Sequence, residues 1–519
     1  MTLFRLLVLA LGFALLAAPE GRAAEGVNEE AIGRVFARAF AFMAPRLLTP
    51  VPLERLSFWA LSGLSRLDPK LAFTSDADGL AVRREGTVLA LASRPHGENA
   101  AAWGRIVGLF AATAASASPS LASHGTEDLV TLLFDAMLAH LDPYSRYRPP
   151  GTPEESAPER PESGILAAID EGRAVVVAIR TESPAAQAAV PVGAEILAIN
   201  GERPPAAAGA LAERLSGEKP GERRRLLLSS GGRRREVVLT LAPAVPPSVF
   251  AELDKGVLSI RITAFRDETE EELRALLVPP FWGNAPLRGV ILDLRGNRGG
   301  VLQQAIEASG LFLGNGLVAV TVGRAPEATE AWEVDEEAAL DTPPLIALVD
   351  GGTASAAEVM AAALADDRRG VVVGSMTLGK GLVQTETPLP NGGRLYLTWS
   401  QIFAPLGWPL QDLGLFPQVC TSLGALPLSQ ALDALMRGEQ PLSRALALHR
   451  TVRPPVSPKV IADLRRACPT ATGTERDLLA AHYLIEHPEA YTEALLPAQF
   501  FSPAPALPAA GNTATPPPP

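Results

Sequence analysis

In the stretch "VDGGTASAAEVMAAALADDRRGVVVGSMTLGKGLVQ", residues 349–384, Ser355 heads an Ala-rich helical run. Lys380 lies further on in a Gly-Lys-Gly, and Gln384 follows four residues later. A hydroxyl and an amine can work as nucleophile and base if the amine gives up its proton near neutral pH. Its pKa must then fall from about 10.4 towards 7–8, through burial away from carboxylates. Glycines and apolar residues surround Lys380, which suits such burial. Ser355 follows the strand-like "LIALVD" at a helix start, where the helix dipole favours a developing anion. The same pattern equally suits Ser355 as a helix N-cap and Lys380 as an exposed loop residue. Spacing alone leaves both open.

Other residues narrow the chemistry. No histidine lies between His140 and His449, so the core around Ser355 cannot supply a Ser–His triad by itself. The GxSxG elbow is missing, since Thr353 and Ala357 stand where its glycines would be. "DLRGNRGG" follows the strand pattern "GVILDLR" and opens a helix, so its glycines can turn backbone N–H groups outward. It lacks nucleotide-loop spacing, and an oxyanion site is preferred over a phosphate cradle. Two cysteines cannot make a four-Cys zinc site, and no HExxH occurs. Neither metal nor cofactor is expected. A net charge of −11 argues against nucleic acid as partner.

These residues need elements to position them. The N-terminus reads as a secretory signal, residues 1–23: Arg5, an apolar run too short for a span of roughly 20 residues, then Pro19 and small residues at Ala23-Ala24. An uncleaved membrane anchor is the alternative, and no other segment reads as a span. Export to an oxidising compartment would allow Cys420 and Cys468 to pair, with two buried thiols as the rival. Residues 27–147 show helical spacing, and 148–162 is a Pro- and Glu-rich linker. Residues 163–243 read as a compact β-rich module closed by a hairpin at "RRRLLLSSGGRRREVVLTL". Residues 248–423 alternate strands and helices as an α/β core, and 426–497 return to helical spacing. The tail, 501–519, is Pro/Ala-rich.

In this order, "LDPYSRY", "SPAAQAAVPVGAEILAING", "LDLRGNRGG", "GGTASAAE", "LGKGLVQ" and "APLGWPLQDLGLFPQV" resemble the carboxy-terminal processing (tail-specific) proteases. These are Ser–Lys peptidases with a crotonase-like core and a PDZ domain. The resemblance covers roughly residues 128–419. It implies Ser355 as nucleophile, Lys380 as base and Gln384 as the residue orienting that base. Backbone N–H groups of Ala356 and of Gly299 or Gly300 would receive the oxyanion. Gly164, Ile165 and Leu166 would form the PDZ carboxylate loop, and Leu211 and Leu215 the groove wall. Leu166, Ala189 and Ala194 depart from the usual pattern in that module. The implied protein is an exported serine endopeptidase acting on proteins with unstructured C-termini, with an adaptor or self-association as further partners. A scaffold of the same shape that binds tails without cutting is the rival reading. The intact Ser, Lys and Gln count against it.

Overall fold

Segments apolar at every position need cover on both faces, which a parallel sheet between helix layers provides. The computed structural model describes residues 27–76, 79–153, 159–277, 286–335 and 343–495. The expected signal sequence, the Pro/Ala tail and the middle of the linker lie outside these. The chain divides into two units, residues 1–152 with 385–397, and residues 153–384 with 398–519.

In the larger unit, Gly289–Asp293, Leu345–Val349 and Val371–Gly374 lie side by side in parallel, flanked by Val257–Ile262 and Val419–Cys420. Their side chains alternate between two cores, as the strand period of two requires. Leu345, Ala347 and Val349 join one core, which packs residues of helices Thr269–Leu277, Leu302–Leu313 and Ala356–Asp366. Ile346, Leu348, Val371 and Val373 join the other, with Leu428 and Leu432 of Ala425–Met436 and Ala480 and Leu484 of Glu475–Glu486. The helices beyond residue 426 therefore cover the second face of the core sheet.

The same sheet continues into the β-rich module through Val249–Asp254, which pairs in parallel with Ile165–Asp170 at Glu252↔Ile169 and Leu253↔Asp170. The module's hairpin, Arg223–Ser230 with Arg233–Thr240, turns on Gly231 and Gly232. Both have positive φ, 56° and 75°, as a two-residue turn of this hand demands. The last linker residues, Arg160–Glu162, are a strand pairing with Ala242–Ala244.

The smaller unit differs from a purely helical reading of 27–147. Helices Glu29–Arg46, Leu53–Leu67, Ala100–Ala117 and Thr126–Leu138 are joined by a meander, Leu71–Asp76, Gly79–Arg84 and Thr87–Ala92. Its three six-residue strands carry no apolar/polar alternation, so nothing marks them out between long helical patterns. Ala100–Ala117 is also long and apolar enough to cross a membrane, contrary to the sequence reading. It packs instead into the unit's core through Trp103, Val107 and Phe110. Gly104 and Gly108 let it approach Glu29–Arg46 closely: a Cβ there would lie 2.5 Å from Ala37 N and 2.4 Å from Glu29 O.

Cys420, at the end of the last core strand, is disulfide-bonded to Cys468 at the C-cap of Pro458–Ala467. The bridge spans 48 residues, worth roughly 4 kcal/mol in the chain-entropy model. Thiol alkylation of the denatured, unreduced protein is expected to label neither cysteine, and Cys468→Ser to lower the denaturant midpoint accordingly. Two labelled thiols per chain would contradict the bridge.

Candidate active site

Three adjacent parallel strands end on one edge of the sheet, where open α/β sheets bind their ligands. Gly289–Asp293 leads into the Gly-rich loop 294–301, Leu345–Val349 into the turn before Ser355, and Val371–Gly374 into the loop carrying Lys380.

The turn is organised by Asp350, which is almost fully buried. Its Oδ1 accepts from the N–H groups of Gly352 (2.8 Å), Gly296 (2.9 Å) and Thr353 (3.1 Å), and its Oδ2 from Gly473 (2.9 Å). Burial pushes this carboxyl's pKa up, but the backbone donors outweigh it and hold it below the usual carboxylate range. Thr353 donates its hydroxyl to Leu294 O at 2.9 Å, and Ala354 N–H donates to Asn297 O at 2.9 Å. Turn and Gly-rich loop are thereby stitched together.

Ser355 stands at the N-cap of Ala356–Asp366 with φ 58° and ψ −125°, and its side chain makes no cap hydrogen bond. The Glu358 carboxylate, fully buried, holds its backbone: Ser355 N–H donates to Oε2 at 2.8 Å. The same oxygen accepts from Lys380 N–H at 2.9 Å. Oε1 accepts from Gly379 N–H at 2.8 Å and from the Thr377 hydroxyl. Burial pushes the Glu358 pKa up, against the pull of these four donors. One carboxylate thus fixes the backbones of both candidate catalytic residues. A further tie joins the loops, Leu378 N–H to Thr353 O at 3.1 Å.

Gly299 lies directly against the serine. A Cβ at Gly299 would fall 2.8 Å from Ser355 Cβ and 2.8 Å from the Ala356 nitrogen. Its own N–H donates to Asn297 Oδ1 at 2.8 Å, while the buried Asn297 donates Nδ2 to Ile262 O at 2.9 Å. Gly300, exposed and at φ 146°, backs onto Phe265, where a Cβ would meet the carbonyl oxygen at 2.0 Å. Among the described hydrogen bonds none engages the N–H of Gly300 or Ala356. Of the three N–H groups expected to receive an oxyanion, Gly299's is already committed to Asn297.

Lys380 is half-buried between glycines that a second segment requires. A Cβ on Gly379 would lie 2.9 Å from Gly414 N, and one on Gly381 2.3 Å from Gln411 N. Gln384, half-buried on strand Leu382–Pro388, donates Nε2 to Thr398 Oγ1 at 3.1 Å and to Leu382 O at 3.2 Å. His449, a histidine from outside the core, has both ring nitrogens engaged. It is fully buried, its Nε2 lies 2.7 Å from Gly414 O, and Arg450 Nη1 lies 2.9 Å from its Nδ1. Burial and the neighbouring guanidinium hold its pKa well below the ordinary value, so it stays neutral.

In the β-rich module, Leu211 and Leu215 are buried in its own core with Ile165, and Leu166 packs into the main core on the opposite face. Gly164, at φ 78°, fits tightly over Ser183, where a Cβ would fall 2.1 Å from that residue's Cβ. Glu358, Asp350 and Asn297 were not singled out in the sequence. The Ser-x-x-Glu spacing of Ser355 and Glu358 was a usable signal, being the capping-box pattern before an apolar run.

Asp350 gives a pH test. Its folded pKa lies below its unfolded one, so its contribution to stability is complete above the unfolded value, ordinarily near 3.8. That contribution is lost as pH falls through the folded value. The stability gap between wild type and Asp350→Asn is expected to be constant near neutrality and to shrink below about pH 4. Urea titrations across that range would show it, and a gap unchanged at low pH would refute it.

Residues 256–420 match Peptidase family S41. A carboxy-terminal-processing protease of Bartonella bacilliformis is 36% identical over 163 residues, 31% of this chain and 37% of that protein. The carboxy-terminal processing protease CtpA of Bacillus subtilis is 32% identical over 303 residues, 56% of this chain and 64% of that protein. The chain thus covers less than two thirds of either relative. A solved photosystem II D1 C-terminal processing protease aligns at 20% identity over 72% of this chain and 97% of its own. Its TM-score is 0.36. Through residues 256–420, this chain is similar to peptidase family S41.

Proposed function

We propose that this protein is an exported serine endopeptidase that selects proteins by their unstructured C-terminal tails and cuts them with Ser355 and Lys380. The observation that supports this best is the shared hold of Glu358 on the backbones of both residues. In this reading Lys380 Nζ takes the Ser355 Oγ proton as Oγ attacks the scissile carbonyl carbon. The carbonyl electron pair moves onto oxygen and is received by the N–H groups of Ala356 and Gly300. Collapse expels the amine, which takes the proton from Lys380 and leaves an acyl-serine. Water, giving its proton to the same lysine, then releases the acid and restores Ser355. Gln384, anchored on Thr398, orients the lysine, and Gly299 shapes the site without donating.

Selection of tails belongs to the 163–243 module, read as a PDZ domain that adds a peptide as a strand beside Ile165–Asp170 and takes its carboxylate on backbone N–H groups near Gly164. Val249–Asp254 already occupies that edge at Ile169 and Asp170, which leaves the stretch from Ile165 to Ala168 for a tail. Leu211 and Leu215 are buried, so the helix Ala208–Leu215 has to shift before an apolar tail residue can enter.

Ser355→Ala and Lys380→Ala are each expected to reduce peptide hydrolysis by roughly four orders of magnitude or more. The double variant should be little worse, because residues of one catalytic unit are not additive. Gln384→Ala should cost less. Substantial hydrolysis by Lys380→Ala would remove the mechanism. Amidating the substrate's C-terminus removes a charge-assisted hydrogen bond worth about 1.5–3 kcal/mol, so cleavage of a tailed protein should slow by roughly ten- to a hundredfold. Equal rates for acid and amide would show that the module does not read tails.

A further inference from the structure

We propose that residues 469–477, beyond the family S41 match, are a positioning element of the catalytic centre. This rests on the reading of Ser355 and Lys380 given above. The segment links helices Pro458–Ala467 and Glu475–Glu486 and touches all three loops that build the site.

On the turn before the serine, Gly351 N–H donates to Ala471 O at 2.8 Å, and Gly473 N–H donates to Asp350 Oδ2 at 2.9 Å. On the lysine loop, the Ser375 hydroxyl donates to Ala471 O at 2.9 Å and accepts from Ala471 N–H at 3.1 Å. On the Gly-rich loop, Arg295 Nη1 donates to Thr474 O at 2.8 Å and to Asp477 Oδ2 at 3.0 Å. Asp477 is buried, and its other oxygen accepts from the Thr421 hydroxyl at 2.5 Å.

The fit leaves no slack. A Cβ on Gly351 would lie 2.5 Å from Thr470 Cγ2, and one on Gly473 2.4 Å from Arg295 Cδ. Both ends of the strap are fastened, one by the Cys468–Cys420 bridge and the other by Asp477, which accepts from the Thr421 hydroxyl and from Arg295 Nη1. The same extension grips the far end of the serine's helix, where buried Arg450 pairs with Asp366 at 2.7 Å. It also holds the segment packed against Gly379 of the lysine loop, through His449 on Gly414 O.

A strap that only packs would contribute to stability alone. A strap that sets the spacing of Ser355, Lys380 and the oxyanion donors contributes to turnover, because errors of about 1 Å in a catalytic constellation cost up to about a hundredfold. Asp477, Ser375 and Gly473 act through other residues and are positioning residues.

The test uses the full chain, with loss of hydrolysis in Ser355→Ala as the control on the site itself. Asp477→Asn and Ser375→Ala are measured well below their unfolding temperatures, with circular dichroism confirming the folded state. The expected result is a fall in kcat of roughly ten- to a hundredfold with KM within about twofold, and an equal slowing of Ser355 labelling by a fluorophosphonate. Folded variants with wild-type kcat and labelling would overturn the proposal. Should neither variant fold, Thr421→Val, which removes one bond to Asp477, is measured in the same way, and amide exchange in the wild type tests whether the strap is closed at all. Gly351, Ala471 and Gly473 are expected to exchange as slowly as Leu345–Val349, and exchange at open-loop rates would overturn the strap. If Ser355→Ala retains activity, the site assignment fails while the exchange measurement still reports on the strap.

Discussion

The active edge depends on one buried carboxylate. Glu358 sits in the first turn of a helix that is otherwise apolar up to Asp366, and its four donors are three backbone N–H groups and one hydroxyl. A carboxylate out of water is costly unless its lone pairs are filled, and a buried partner left unpaired is costlier still. Both loops must therefore close on Glu358 together, since neither alone fills its oxygens. Residues 355 and 380, far apart in the chain, become neighbours because a shared acceptor leaves them no cheaper arrangement.

Asp350 and Asn297 extend that logic to the third loop. Asp350 takes N–H groups from its own turn, from Gly296 and from Gly473, and Asn297 ties Gly299 to the strand end at Ile262. Polar side chains here replace the ladder partners that backbone groups lose when strands end. The sheet brings three loops to one edge, and acceptors at their bases convert that proximity into fixed distances. Helices on both faces hold the sheet itself, so the extension after residue 426 supports the site twice, under the strands and through its strap.

Much of this was legible in the chain. The buried strands "GVILD", "LIALV" and "VVVG" announced themselves because parallel strands between helix layers are apolar throughout. The Gly-rich loop and the Gly-Lys-Gly were visible because glycine marks close approach, and the structure supplies the approaching atoms. The meander at 71–92 was hidden because its short strands do not alternate. The role of the extension was hidden for another reason. On its own side most of its contacts with the site are made by backbone atoms, those of Ala471, Gly473 and Thr474, and these leave almost no trace in the extension's side-chain identity. Glu358 was within reach, but its spacing from Ser355 reads first as a helix cap.

That first reading can be weighed within the protein. Asn28 and Asn99 are ordinary caps, with extended backbones (φ −88° and −82°) and side chains accepting from the third residue on. Ser355 holds the same position but departs on both counts. Its φ is 58°, where a residue with a Cβ carries about 1–3 kcal/mol of strain, and its hydroxyl does no capping. The bond from Ser355 N–H to Glu358 offsets part of that strain. A helix needing only a cap would relax to an extended Ser355 and bond its own amides. Keeping the strained form instead withholds the hydroxyl from those amides and, among the described hydrogen bonds, leaves the Ala356 N–H unengaged beside Gly299. A free hydroxyl and a free N–H are what the proposed nucleophile and oxyanion site each require.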